Sequence, residues 1–212
     1  MALTNCYTTV DALAAEMEIN GTDQARLNSK LERAIAAACR LIDAETGWHQ
    51  HGFWQDSAVV ARTFEPDDTR CLYISEGIST TTGLIVKTDT DGNGTYETTL
   101  TISTDFILEP VNAAANYPVW PYTEIRIRSA SSAYFPTGLE DTVQVTAKFG
   151  WPAVPDDVAK AALIQAMLEF KAGDAVFGGV QLGIDGSVLR MRTGLHPTAA
   201  GLIERYQKPR VA

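Results

Sequence analysis

The chain has 212 residues, of which 45% are hydrophobic and 20% are charged, and its formal net charge is −9. This length and composition are those of an ordinary globular protein with one or two small domains. The acidic balance disfavours nucleic acid as a main partner because phosphates would be repelled, and no apolar run approaches the roughly 18 residues of a membrane helix.

The charge is unevenly distributed along the chain. From Phe177 to Ala212 there are five basic residues and two acidic ones, which gives +3, so the remainder carries −12. A basic tail beside an acidic body is suited to an acidic surface on another protein. Alternatively, the five cations only keep a flexible tail solvated, and the sequence leaves both interpretations open.

The N-terminus and the cysteines bear on the compartment. Met1 to Tyr7 lacks a basic stretch followed by an apolar one, so we expect no signal peptide. The three cysteines, Cys6, Cys39 and Cys71, are odd in number and widely spaced. They fit a reducing compartment and predict no disulfide framework.

Two helices are predicted near the N-terminus. Thr8–Ile19 carries apolar residues at the spacing of one helix face, with Thr8 as N-cap. A second helix is predicted from about Thr22 to Thr46, ending at Gly47. Its alanine-rich middle, from Ala34 to Ala38, lets another helix approach closely, and we prefer this interpretation to a ligand groove.

The period of hydrophobicity changes to two between about Ser57 and Phe149, which predicts β structure. Threonine, valine, isoleucine and tyrosine dominate there, as strands prefer. The predicted strands are Val59–Phe64, Cys71–Ile74, Leu84–Lys87, Tyr96–Ile102, Phe106–Leu108, Glu124–Arg128 and Val143–Phe149.

A third long helix is predicted from Pro155 to about Gly173, with proline and acidic residues at its start. Its apolar residues cover most of its surface, and such a helix must be covered on most sides. We therefore expect a neighbouring subunit to supply a second cover. Beyond Gly173 the chain is rich in glycine, and a short helix is predicted to begin at Pro197.

No stretch of the sequence forms a complete catalytic or metal-binding set. Asp89, Asp91, Asn93 and Glu97 resemble part of a calcium loop, but Leu100 stands where a carboxylate is needed, so we expect a turn. His49 and His51 lack partners for zinc. No serine or cysteine stands in a nucleophile pattern, and phosphate-binding loops are missing. We expect no enzyme activity, no metal and no cofactor.

The predicted fold class is α+β. A helical bundle is expected from the two N-terminal helices and the long helix after residue 155. The expected domains are a helical core at 1–56 and 150–176, a β-rich insertion at 57–149, and an extended, flexible C-terminal arm at 177–212.

The order of these motifs resembles the head–tail connector (adaptor) proteins of long-tailed bacteriophages. The segments Tyr7–Leu13 and Ala36–Trp48 resemble the N-terminal helices of that family. Tyr96–Asn112 is similar to a β insertion of some members, and Phe149–Val158 with Gly178-Gly179 is similar to the final block. The arm after Gly178 matches only loosely.

The resemblance implies a structural virion protein at the head–tail interface, present in the host cytoplasm during assembly. It implies a homo-oligomeric, twelve-fold ring beneath the portal, which extends the DNA channel and provides a docking platform for the next connector or the tail. DNA would pass without specific binding, and no membrane is involved. The alternatives are a stopper or tail-completion protein and, from another class, a calcium- or ligand-binding β module.

Two sets of residues are predicted to make the contacts of this ring. The first would lie between subunits and comprises Leu31, Ile35, Ala38, Ala161, Ala162 and Leu168. The second would belong to a portal-docking arm that is pliable before assembly and comprises Val188, Arg190, Arg192, Leu202, Ile203, Arg205 and Tyr206.

Overall fold

The computed structural model describes residues 3–48, 51–172 and 194–208, together with the backbone of 181–182 and 188–189. These residues divide into two compact units. Unit 1 comprises residues 1–49 and 154–212, and unit 2 comprises residues 50–153. The boundaries expected from the sequence, near residues 56 and 150, differ from these by a few residues.

Unit 1 contains the α-helices of the described residues, and a short 3-10 turn at Ala113–Ala115 lies in unit 2. The α-helices are α1 (Val10–Glu16), α2 (Gly21–Thr46), α3 (Asp156–Ala172) and α4 (Pro197–Ile203), the last followed by a 3-10 turn at Glu204–Tyr206. The Thr9 and Asn20 side chains accept a backbone N–H as N-caps of α1 and α2, and Gly47 ends α2 with a φ of 78°. A left-handed residue at this position suits glycine, which has no Cβ to clash.

The helices of unit 1 bury one another's apolar faces. Helix α2 packs against α3, α3 also packs against α4, and α1 packs on both α2 and α3. Helix α3 is therefore covered on several sides by helices of the same chain. Much of its apolar surface therefore has partners inside unit 1, and the second cover expected from a neighbouring subunit stays a prediction.

Unit 2 contains seven strands: β1 (Val60–Phe64), β2 (Cys71–Ile78), β3 (Ile85–Thr88), β4 (Thr98–Leu100), β5 (Phe106–Glu109), β6 (Tyr122–Ile127) and β7 (Val143–Ala147). One antiparallel sheet has the order β1-β7-β3-β4, and another has the order β2-β6-β5. A further pair, β8 (Gln181–Leu182) and β9 (Val188–Leu189), lies in the other unit.

The two sheets of unit 2 share one hydrophobic core. Strands alternate their side chains between two faces, so each sheet gives one face to this core. The buried residues come from both sheets and their loops: Leu72, Ile74, Ile78, Val86, Leu100, Phe106, Leu108, Ile125, Ile127, Phe135, Val143, Val145, Ala147 and Phe149. The opposite face of each sheet points away from this core.

The first and last segments of unit 2 pair with each other. The backbone N–H of Asp56 donates to the carbonyl of Phe149 at 3.0 Å, and that of Trp151 donates to the carbonyl of Trp54 at 3.1 Å. Gly150 lies between them with a φ of 95°, and a Cβ there would stand 2.0 Å from the Trp54 carbonyl oxygen. Only glycine fits this crossing without rearrangement.

The expected α+β class is confirmed, with helices and antiparallel sheets. All seven strands predicted between residues 57 and 149 are present, with ends that differ by a few residues. In the described part of the chain, none of the helices has both the length and the apolar character needed to cross a membrane.

Candidate functional site

Five of the six residues predicted to touch a neighbouring subunit lie inside unit 1. Leu31, Ile35, Ala38, Ala161 and Ala162 each have 0% of their surface exposed. They lie on α2 and α3, which pack together within the chain. A second copy reaches none of these side chains unless that packing opens. Leu168 is half-buried and stays a predicted contact.

The described residues of the predicted docking arm are folded onto unit 1. Ile203 and Tyr206 are buried, with 0% and 1% exposure, and Leu202 is half-buried. Arg205 forms an ion pair with Asp157 at the start of α3. Among the described residues, this part of the expected flexible arm is ordered structure. Val188 is described only as backbone in β9, and Arg190 and Arg192 lie outside the described residues.

The end of this segment is fixed to the end of α2. The Trp48 indole N–H donates to the carbonyl of Tyr206 at 3.0 Å. The backbone N–H of Lys208 donates to the carbonyl of Thr46 at 2.9 Å, and the Lys208 ammonium lies 3.7 Å from the centre of the Trp48 ring. A cation over an indole face is attracted by its negative charge distribution. These contacts hold the segment up to residue 208 against the end of α2.

The two described histidines have structural roles. The His51 Nε2 lies 2.9 Å from a carboxylate oxygen of Asp56, and Arg62 joins Asp56 to Glu76 by ion pairs of 3.3 and 3.1 Å. Arg62 also lies over the Phe149 ring. An arginine inside this cluster disfavours a metal cation beside it. The other histidine, His196, caps α4 by accepting the N–H of Thr198, and His49 lies outside the described residues.

The calcium-like loop places three carboxylates close together. Oxygens of Asp89, Asp91 and Glu97 lie within 4.8 Å of one another. Asp89 is buried, and its two oxygens accept the backbone N–H groups of Asp91, Gly92 and Gly94 at 3.2, 2.8 and 2.7 Å. Its carboxylate therefore holds the turn closed, which is the role expected from the sequence.

Hydrogen bonding sets the ionisation of Asp89. Burial raises the pKa of this carboxyl, but the N–H groups of Gly94 and Gly92, with Asp91, together lower it more, so the pKa lies below its ordinary value of 3.8. The carboxylate is charged at neutral pH. Asp91 and Glu97 are exposed beside it, and in the described residues neither forms an ion pair with a lysine or arginine.

A second feature of unit 2 was not predicted from the sequence: a basic groove on the outer face of the β2-β6-β5 sheet. It has a volume of about 640 Å³ and is lined by Arg70, Cys71, Ile107, Arg126, Ile127, Arg128 and Ser129. We call it the arginine groove. Cys71, Arg126 and Ile107 are directly paired across the three strands, so their side chains lie in one row on the outer face.

The signal for the groove is present in the sequence but weak. Arg126 and Arg128 are two residues apart at the end of a strand, and this spacing puts both on one face. Arg70 precedes a different strand, and only the pairing of β2 with β6 brings it beside them. Such long-range pairing is set by the shared core, which the local pattern does not specify.

The arginines of the groove differ in their partners. Arg126 pairs with Glu124 at 3.0 Å and with Glu109 at 3.8 Å. Arg70 donates to the carbonyl oxygens of Arg128 and Ser131 at 2.9 and 3.4 Å, which fixes its guanidinium. Arg128 is exposed, and within the described ranges its side chain forms no ion pair. The groove therefore offers positive charge that no carboxylate of the described chain fully neutralises.

Comparison with known proteins identifies the fold. No family model and no curated protein matches the sequence. The chain matches one from the neck of an empty GTA (gene transfer agent) particle computed with C6 symmetry, with a TM-score of 0.52 and 20% identity, over 100% of this chain and 95% of the other.

Two further matches come from native particles. One lies in a neck computed with C12 symmetry, with 22% identity, a TM-score of 0.43 and coverage of 100% and 94%. The other lies in a gene transfer agent virion, with 24% identity, a TM-score of 0.43 and coverage of 92% and 82%. The fold assignment rests on the match to the empty particle. The expected likeness to a connector protein is thereby confirmed at the level of the fold.

Proposed function

We propose that this protein is a structural component of a virion neck, a head-to-tail adaptor that forms a ring beneath the portal. The observation that carries the proposal is the fold shared with a neck chain along nearly the full length of both proteins. The motif order at Tyr7–Leu13, Ala36–Trp48 and Phe149–Val158, which resembles connector proteins, points independently to the same place in a virion.

The proposed ring is a homo-oligomer of twelve copies. The neck that supports this proposal was computed with sixfold symmetry. A twelve-subunit ring contains a sixfold axis, so the two symmetries are compatible. Closed rings of this kind use heterologous interfaces, in which one patch of a subunit meets a different patch of the next.

The proposed work of the ring is mechanical. It extends the DNA channel and offers a platform to a stopper, the next connector or the tail. The net charge of −9 supports passage of DNA without specific binding, because few cations face its phosphates. Unit 1 suits the body of such a ring, because its helices pack against one another and give it a well-defined surface.

A calcium-binding β module is the second candidate. The carboxylates of Asp89, Asp91 and Glu97, close to one another, are the observation in its favour. Against it, both oxygens of Asp89 already accept backbone N–H groups. A calcium ion would have to compete with these hydrogen bonds, so the adaptor is the better-supported proposal.

Electron microscopy of the purified protein, alone and mixed with portal protein, tests the adaptor proposal. We expect rings of about twelve copies that stack on the portal ring. Particles with no cyclic symmetry and no portal binding would contradict it. A stopper role would be supported instead if the protein joined only a portal that already carried another ring.

A further inference from the structure

The arginine groove contains exposed positive charge, and another surface of the same unit contains exposed negative charge. The acidic surface comprises loops 89–97 and 137–142, and we call it the acidic knob. The two loops are joined by a hydrogen bond of 2.9 Å from the Tyr96 hydroxyl to the Asp141 carbonyl. The Leu139 side chain also reaches Gly92, where a Cβ would stand 3.3 Å from it.

The knob carries negative charge without compensation. Its 15 residues include the five acids Asp89, Asp91, Glu97, Glu140 and Asp141 and no lysine or arginine. Four of these acids are exposed. Within the part of the chain that the structure describes, Asp91 and Glu97 have hydrogen bonds from Asn93 but no cation. Like charges this close repel one another, so a positive partner would lower the free energy.

The arginine groove carries positive charge at Arg128, and an exposed aromatic residue lies beside it, as an exposed apolar residue lies on the acidic knob. Tyr73, which is 63% exposed, lies on the same outer face as Cys71, because residues two apart in a strand share a face. The knob in turn exposes Leu139, at 41%. Arginine and tyrosine are among the residue types enriched at the energetically important positions of protein interfaces.

Acidic residues also surround the groove, and they restrict what can enter. Glu124 and Glu109 pair with Arg126, the Asp68 carboxylate accepts the N–H groups of Arg70 and Cys71, and Asp105 accepts the Ser131 hydroxyl. Glu124 and Glu109 are therefore paired with a cation, whereas Asp68 and Asp105 are hydrogen-bonded to neutral groups and keep their negative charge beside the groove. A long phosphate backbone would pass over these carboxylates, whereas a compact carboxylate loop needs only the end of the groove at Arg70 and Arg128.

We propose that the arginine groove of one copy receives the acidic knob of the next copy. This inference rests on the proposed ring, since a groove and a knob on one chain form the heterologous contact that a ring repeats. Arg128 is the residue that gains a partner, and Asp91 and Glu97 are the carboxylates that it meets. Arginine suits this contact because its planar fork binds a carboxylate through two hydrogen bonds.

Charge reversal with rescue is the first test. R128E and D91R each place like charges at the contact, and the double variant restores an opposite pair. We expect each single variant to weaken ring formation at least about tenfold in sedimentation velocity and microscopy, and the double variant to recover most of it. R33E, a reversal of an exposed arginine on α2, is the matched control and should assemble normally.

Cross-linking is the second test, and it needs no complete ring. R128K puts an amine in the groove, and a carbodiimide joins an amine to a carboxylate only at direct contact. We mix unlabelled and ¹⁵N-labelled R128K chains and expect mixed cross-links from position 128 to Asp91 or Glu97. R33K, mixed in the same way, should give no cross-link to these two acids.

The outcomes separate this inference from the proposed function. Suppose that the wild-type protein forms rings that stack on the portal. If R128E then assembles normally, or if the double variant shows no rescue, the inference is wrong and the proposed function stands. If the rings dissociate in EDTA and re-form when calcium is added, the acidic knob binds a cation, and the inference is also wrong. The inference is likewise wrong if the wild-type protein binds duplex DNA and R128E loses this binding but still forms rings. Absence of any wild-type ring or portal complex contradicts the proposed function, and absence of cross-links then also overturns the inference.

Discussion

The indole N–H of Trp48, at the end of α2, donates a hydrogen bond of 3.0 Å to the carbonyl of Tyr206, 158 residues further along the chain. The Tyr206 side chain is itself 1% exposed. The two residues therefore join the end of α2 to the last segment that the structure describes. Residues 194–208 belong to the folded body of the isolated chain.

Truncation of Tyr206 should destabilise unit 1. Tyr206→Ala removes a fully buried ring and leaves a cavity, so we expect a loss of roughly 3 kcal/mol in the free energy of unfolding. Urea unfolding followed by the helical circular dichroism signal at 222 nm measures it, since the described α-helices belong to unit 1. Gln207→Ala, at an exposed neighbour, is the control and should change stability little. An unchanged midpoint for Tyr206→Ala would show that this segment is dispensable.

Gly150 should tolerate no side chain. Its positive φ costs an alanine roughly 1–2 kcal/mol, and a Cβ would in addition overlap the Trp54 carbonyl and the His51 ring. Gly138 is a matched control, because its φ is 77° and a Cβ there would meet nothing within 4 Å. We expect G150A to lower the melting temperature clearly more than G138A. Equal effects would mean that the crossing adapts to the extra methyl group.

Stability should fall in acid partly through Asp89. The pKa of this carboxyl is lowered in the folded protein, so its contribution is present above the ordinary value of 3.8 and is lost as the pH falls through the folded value. D89N removes this contribution at all pH values and should flatten the acid side of the stability profile. D67N, at an exposed aspartate in another loop, should keep the profile of the parent. Urea midpoints between pH 2.5 and 7 give the comparison.

A charge on α3 should act differently at buried and accessible positions. Ala162 is 0% exposed, so A162E places an unpaired carboxylate in the core, and we expect it to cost at least about 3 kcal/mol and to unfold the isolated chain. Leu168 is half-buried. L168E should leave the monomer folded while it weakens ring formation, if α3 touches a neighbour. Circular dichroism and sedimentation velocity separate the two effects, and normal rings from L168E would remove α3 from the interface.

Local patterns in the sequence were sufficient for most of the fold. The strand from Val143 onward alternates cleanly, and the helix after Pro155 begins with acids at its positive end, so both elements could be predicted. The contact of α3 with a neighbouring subunit stays a prediction, which Leu168 carries. The apolar circumference of α3 shows that it is covered, but only the tertiary packing shows that α1, α2 and α4 are the cover.

The site was harder to predict because it depends on contacts distant in sequence. Arg62 shares a strand face with Val60 and Phe64, but its partners Asp56, Glu76 and the Phe149 ring come from other segments, which the local pattern of the strand does not identify. Similarly, the glycines and scattered cations near the C-terminus suggested a flexible arm. The burial of Ile203 and Tyr206 depends on α3 and Trp48, which a local window does not contain.

The paired crossing at Asp56–Phe149 and Trp54–Trp151 has an evolutionary consequence. Because the segments that begin and end unit 2 are hydrogen-bonded to each other, this unit occupies its host chain as a loop whose two ends nearly coincide. An insertion of that geometry adds little to the closure entropy of the chain that carries it. A lineage can therefore exchange, shorten or diversify the whole β module, and with it the contacts that we propose for its surface, while the helical body keeps its own packing.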